Sequence, residues 1–376
     1  MAFRTLSIAA LIGLAGPFAV SAQAVISIGG PPACDSCTFR FTRLARLGGD
    51  TEQEGLISLA SIVVRNSKGD YYVAPTYAGG LVVKYSPSGA SIAVLGGAGG
   101  GPGEHRGIQE ITLSANDSLY VFEEGNGRIS VWGPDDRFVR VARLPAYPFE
   151  ARALPDGRII LQSRATAIPG AKGAPIHLLD VSGNVIRSFG RANGDGPAIT
   201  STYDQWRAIA LGPGETVWSG HYNRYEIELW SLTGEHIGTI VRRLPGFHPY
   251  IRMTVPPQPV LRALTQDEAG RLWVLITIAD PEGWESDQPH RNFNTLIEVI
   301  DPTEARVVAS CLHPKLIERF VAPGILPIIE QKDDGGLVVD VWKVDLQGLP
   351  TTPDKDSRSN SAISLSRGED QCINSS

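Results

Sequence analysis

Short apolar runs alternate with turn residues along nearly the whole chain, and within the runs apolar and polar positions alternate with a period of two. Five times an apolar stretch is followed by a turn and a second β-rich stretch: 81–85 then Gly89, 128–132 then Asp136, 176–179 then Gly183, 226–230 then Gly234, and 296–300 then Glu304. These turn residues lie 47, 47, 51 and 70 apart. A second element precedes each hairpin, a strand that leaves a tight turn at Gly69, Asp117, Gly157, Gly214, Gly270 and Gly335. Six such exits predict six units of two hairpins each. One four-stranded sheet cannot bury both of its faces, so such units stack around an axis.

The pattern predicts an all-β, six-bladed β-propeller of four-stranded antiparallel blades spanning 38–348. The sixth repeat lacks an outer strand at its C-terminal end, whereas 38–46, Thr-Phe-Arg-Phe-Thr-Arg-Leu-Ala-Arg, alternates as a strand should. Pairing that N-terminal strand into the last blade closes the ring and removes exposed sheet edges. Helical periodicity is nearly absent; beyond the first residues only 314–320 admits a helical turn.

One repeat is explicit enough to carry a resemblance. Leu95-Gly-Gly-Ala-Gly-Gly-Gly-Pro-Gly-Glu104, Gly107-Ile108, Asn116-Asp-Ser-Leu-Tyr-Val121 and Gly125-Asn-Gly-Arg-Ile129 with Val131-Trp132 resemble a whole NHL repeat, with His105 where such repeats often carry an aromatic residue. The other repeats share only the strand pattern. The resemblance implies a six-bladed propeller and, by analogy, a binding role.

Arg4 precedes an apolar run at 6–20 and the small-residue pattern Ala22-Gln23-Ala24, which is the pattern of a secretory signal over 1–24, cleaved after Ala24 or Ala22. The run is shorter than a membrane span and is broken at Gly16-Pro17, so an exported, periplasmic or extracellular protein without membrane insertion is expected. A lead-in segment (25–37) would precede the propeller and a polar, disordered tail (349–376) would follow it.

Composition agrees with many short strands: 41 Gly and 27 Pro accompany 42 % hydrophobic residues. The net charge is −6, with basic residues scattered rather than striped, so nucleic acid is not an expected partner. A monomer that binds a small molecule, a peptide or a protein is expected.

Four cysteines, Cys34, Cys37, Cys311 and Cys372, are an even number in an exported chain and predict disulfides, with three connectivities open. Cys34 and Cys37 sit in a Gly-Pro-rich segment that opens no helix, which removes the dipole that redox pairs use. A bond from Cys311 to either of them is geometrically possible.

In a propeller, the loops entering the inner strands and those joining second to third strands share one face. The long ones here are 163–174, 190–205, 244–259 and 277–294, which places the expected binding face over blades three to five. Arg152, Arg207 and Arg262 each stand near the start of an inner strand and together could ring the channel mouth, holding a carboxylate, sulfate or phosphate or else bridging blades. Glu110 has the like position in blade two and could pair with them. His221, Asn223 and Arg224 fall in a second-to-third-strand loop, and Trp284, His290 and Arg291 in the longest one.

Two functions are compatible with this pattern. One is an exported binding module for a small anionic ligand, peptide or protein, with no cofactor. The other is a metal-dependent propeller hydrolase or lyase of the gluconolactonase-like kind, in which a divalent cation would use Glu110, Glu123 and Asn126. No nucleophile elbow, His-Glu-x-x-His helix or phosphate-binding glycine loop is present.

Overall fold

The computed structural model describes residues 24–349 except 35, 49–56, 59–60, 77–79, 165–167, 172, 191–201, 281–291 and 334. The signal pattern up to Gln23, the tail from residue 350 on with Cys372, and Trp284, His290 and Arg291 therefore lie outside the described residues.

Six sheets form a ring. Blade one is β3 (Ile62–Arg65), β4 (Tyr71–Ala74), β5 (Leu81–Tyr85) and β6 (Ser91–Gly96); blade two is β7 (Ile108–Leu113), β8 (Leu119–Glu123), β9 (Arg128–Trp132) and β10 (Phe138–Arg143). Blade three is β11 (Glu150–Ala153), β12 (Ile159–Gln162), β13 (Ile176–Leu179) and β14 (Val185–Phe189). Blade four is β15 (Arg207–Leu211), β16 (Thr216–His221), β17 (Glu226–Ser231) and β18 (His236–Arg242), and blade five is β19 (Val260–Gln266), β20 (Leu272–Ala279), β21 (Phe293–Asp301) and β22 (Arg306–His313). Blade six takes β23 (Ile325–Gln331) and β24 (Leu337–Gln347) from the end of the chain and β2 (Thr38–Leu47) from its start.

Each blade gives one face to each neighbour, as the period-two pattern requires. In β20, Leu272, Val274 and Ile276 pack toward blade four while Trp273 and Leu275 pack toward blade six. The described residues form six apolar clusters, one at every junction between blades, so the core is itself a closed ring.

The closing strand shows why this register is exact. Phe39 and Phe41 pack toward blade five, yet Ala45 and Leu47, at the same parity, pack toward blade one. A bulge between Arg43 and Ala45, where β2 pairs with β24, shifts the register by one residue and turns the later side chains over.

Four features depart from the sequence reading. Blade six has three described strands rather than four, because β24 pairs directly with β2. Residues 25–28, expected in the lead-in segment, form with Ala24, expected to end the signal, the strand β1 (Ala24–Ile28), which adds to β18 as a parallel fifth strand of blade four. Segment 314–320 forms no helix; the one helical turn among the described residues is the 3-10 turn at Thr202–Gln205. The fifth hairpin turns at Ala305 (φ 52°) rather than at Glu304.

The other turn positions stand as read, with positive φ at Gly69, Asp117, Gly157, Gly214, Gly270 and Gly335 and at Gly89, Asp136, Gly183 and Gly234. At Gly183 the turn also touches the preceding blade, where a Cβ would lie 1.9 Å from the Arg143 carbonyl oxygen. Cys34 and Cys37 form a disulfide, and Cys311 is also disulfide-bonded, so the possible link from Cys311 to either of the first two does not form.

Candidate functional site

A cavity of about 580 Å³ lies at the channel mouth, walled by residues of all six blades. Its residues come from the starts of inner strands (Ser61, Gln109, Glu150, Arg207, Leu261) and from the ends of second strands and the loops after them (Thr76, Gln162, Tyr222). This is the face on which the sequence placed the site. Segment 314–320 enters the same space and contributes Lys315, Glu318 and Arg319.

Four cations line the cavity, and three are matched to carboxylates. Arg319 Nη1 donates to Glu110 Oε2 at 2.6 Å, Arg262 Nη2 donates to Glu318, and Lys315 donates to Glu330. Glu110 thus pairs with a mouth arginine, but with Arg319 and not with Arg152, Arg207 or Arg262, the partners the sequence suggested. Burial raises the Glu110 carboxyl, and the charges of Arg319 and Arg152 oppose that shift.

Arg207 differs from the other three. Its Nη1 donates to the carbonyl oxygens of Asp204 and Trp206, while its Nε, buried with the side chain, has no partner among the described residues. The residue is only 8 % exposed, and it lines the cavity. Burial lowers its guanidinium to about 10, with Glu228 and Asp204 opposing and Arg224 reinforcing the shift, so Arg207 stays charged at neutral pH.

Beneath Arg207 lies a buried pair. His221, the cross-strand neighbour of Arg207, donates from Nε2 to Glu228 Oε1 at 3.1 Å, and Trp230 Nε1 donates to Glu228 Oε2 at 3.0 Å. Burial alone would raise the Glu228 carboxyl; His221, Arg207 and the Trp230 N–H overcome it and hold the group near 2. Burial pushes His221 down to about 4, so the imidazole is neutral at pH 7.

The remaining candidates brace loops. Arg152 donates to Glu150 and to the Ala151 carbonyl, and Glu150 Oε2 accepts the Ile209 amide of blade four at 2.7 Å, a bridge between blades. Asn223 Nδ2 donates to Asp204 Oδ1 and the Tyr250 carbonyl, and Arg224 donates to Glu226 and Asp204.

The oxygen donors considered for a cation are committed elsewhere. Glu123 accepts hydrogen bonds from Ser130, Asn126 and Arg128, and Arg128 in turn donates to the carbonyls of Gly100, Gly101 and Glu104. This network pins the crossing from blade one to blade two. Glu110 is taken by Arg319, and Asn126 Nδ2 donates to Glu123, so these three side chains are not arranged as a cation cage; among the described residues no group of three or more His, Cys, Asp or Glu is placed to hold a metal ion. His105, in the same crossing, accepts from Trp132 Nε1 at 3.2 Å, which directs its Nδ1–H to the Gly80 carbonyl at 3.1 Å.

Sequence reasoning missed the aromatic wall. Tyr147, Phe149, Trp206 and Tyr222 line the cavity on the side of blades three and four, with ring centroids 5.2 Å apart for Tyr147–Phe149, 5.5 Å for Phe149–Trp206 and 4.9 Å for Trp206–Tyr222. Gln162, at the end of β12, adds a fully buried amide whose Oε1 has no partner among the described residues. One sequence signal was present: Phe149 and Trp206 each stand one residue before an inner strand.

No family model and no curated protein matches the sequence. Among solved structures, the chain is similar to a protein of Bacteroides fragilis described as exported, at 11 % identity and a TM-score of 0.54, covering 85 % of this chain and 99 % of that one. Virginiamycin B lyase of Staphylococcus aureus is more distant in shape, at 12 % identity, a TM-score of 0.44 and coverage of 82 % and 99 %. At such identity the likeness shows a six-bladed propeller and the fold alone.

Proposed function

We propose that the chain is an exported, NHL-like binding propeller that captures a small molecule bearing a carboxylate, sulfate or phosphate at the channel mouth. Arg207 makes the anion contact, and the chain performs no chemistry of its own. One observation carries this reading: the other cations lining the cavity are matched to carboxylates, whereas buried Arg207 keeps an N–H without a partner. A buried unpaired donor costs roughly 1–3 kcal/mol, and an anion toward which the guanidinium turns would recover it through charge-assisted hydrogen bonds. The signal pattern and the Cys34–Cys37 disulfide support export to an oxidising compartment.

Thermal unfolding with sulfate, phosphate and acetate tests the reading, because a ligand that binds only the folded state raises the midpoint. The unaltered chain should be stabilised and Arg207→Met should not. Equal responses in both proteins would sink the assignment. A midpoint that rises instead with millimolar divalent cation would favour the metal-dependent hydrolase or lyase.

A further inference from the structure

We infer that the ligand is an acidic saccharide, with a uronate carboxylate on Arg207 and a pyranose ring against the wall formed by Tyr147, Phe149, Trp206 and Tyr222; this rests on the anion reading above. Three buried polar atoms on cavity-lining residues lack partners among the described residues: Arg207 Nε and Trp206 Nε1, both donors, and Gln162 Oε1, an acceptor. Each of these atoms is enclosed, so a ligand engages them only by drawing the side chains toward the cavity, and one that satisfies all three must bring acceptor oxygens for the two donors and an O–H or N–H for the amide oxygen. It must also cover the four aromatic side chains, each of which is partly exposed.

These requirements narrow the chemistry. Inorganic sulfate or phosphate satisfies the arginine but leaves the aromatic wall wet. An aromatic or fatty acid covers the wall but brings no donor for Gln162. A neutral sugar accepts from the buried guanidinium but brings no charge to it. A uronate carries a carboxylate, several hydroxyls that donate and accept, and a C–H face that suits the electron-rich faces of aromatic rings.

The rest of the cavity favours the same class. Its lining also carries the pairs Arg262–Glu318 and Lys315–Glu330, whose spare N–H groups and lone pairs suit several hydroxyls. The volume, about 580 Å³, lies within the range of small-molecule sites and holds more than one sugar ring. Arg164, exposed, lies 5.9 Å from the Phe149 ring centroid and places a second cation beside the wall, as a chain of uronates would use.

The test is calorimetric titration of the full chain with digalacturonate, its methyl ester, lactose, benzoate, sulfate and acetyl-dialanine. Digalacturonate is expected to bind most tightly, and either methyl esterification or Arg207→Met should weaken it at least about tenfold. Trp206→Leu should weaken digalacturonate while leaving the sulfate response in place. Because esterification removes the charge from the ligand, the comparison holds even if Arg207→Met fails to fold. Benzoate, acetyl-dialanine or sulfate binding as tightly as digalacturonate would overturn the saccharide assignment and leave the anion site standing. A panel in which no ligand depends on Arg207 or on the ligand's charge would overturn both.

Discussion

Replacing His177 by Leu isolates what one buried imidazole contributes to the pH dependence of this fold. His177 lies in β13, fully buried, and its pKa is pushed from the ordinary 6.5 down to about 4 by burial alone. Its Nδ1 meets Ser188 Oγ at 2.8 Å, and its Nε2 has no partner among the described residues. A folded-state pKa below the unfolded one means that the unfolded chain takes up the proton first. The stability His177 supports is therefore complete above pH 6.5 and is lost as the pH falls toward 4, at about 1.4 kcal/mol per pH unit. At about pH 5 the loss reaches roughly 2 kcal/mol, and near pH 4 roughly 3. Leu has nearly the volume of His and cannot titrate. Urea unfolding followed by tryptophan fluorescence, at about pH 7.5 and about pH 5, compares the two proteins while every other titrating group cancels. At the higher pH the variant should lie within about 1 kcal/mol of the unaltered chain, the scale of the Ser188 hydrogen bond. At the lower pH it should gain roughly 2 kcal/mol relative to it. A difference between the two proteins that does not change with pH would refute the reasoning, since His177 would then titrate as freely in the fold as in the unfolded chain.

Two further perturbations test the ring. Gly183→Ala and Gly214→Ala both place a Cβ at positive φ, but the first would drive it to 1.9 Å from the Arg143 carbonyl oxygen and the second meets nothing within 4 Å. Gly214→Ala should cost about 1 kcal/mol and Gly183→Ala distinctly more, because backbone must move; equal unfolding midpoints would show that the junction between blades two and three yields freely. Arg319→Met leaves Glu110, 1 % exposed, without its partner. The side chain of Arg319 is itself 33 % exposed, so a loss near 3 kcal/mol at neutral pH is expected rather than the top of the buried-pair range. The unpartnered carboxyl would have its pKa raised further, so this loss should shrink as the pH falls and Glu110 takes up a proton. Restoring most of the stability with Glu110→Gln in the same chain is the matching outcome, and no recovery would place the loss elsewhere.

What the sequence disclosed and what it hid divide along chain distance. The strands and turns were legible because period-two alternation and positive-φ turn residues are local, and even the closing role of 38–46 followed from a missing partner strand. The bulge between Arg43 and Ala45 was not legible, because one inserted residue leaves the alternation readable while turning the later side chains to the other neighbour. Nor was β1, whose strand character emerges only against the edge of β18, more than two hundred residues away. The candidate site divides in the same way. Arg207 could be found because it opens an inner strand, and inner strands in a propeller lead to one mouth. Its distinction from Arg262 and Arg319 could not, because it depends on which carboxylates reach which cations. Glu318 and Arg319 arrive from 314–320, read as a helical turn, and the bond from Arg319 to Glu110 spans 209 residues. A cation bonded to backbone carbonyls alone, among cavity cations matched to carboxylates, is a property of the closed ring. The same closure that buries six apolar junctions also decides which arginine is left with an unfilled hydrogen bond, so changes at a junction far from the mouth, such as Gly183→Ala, bear on the geometry of the mouth to the extent that they loosen that ring.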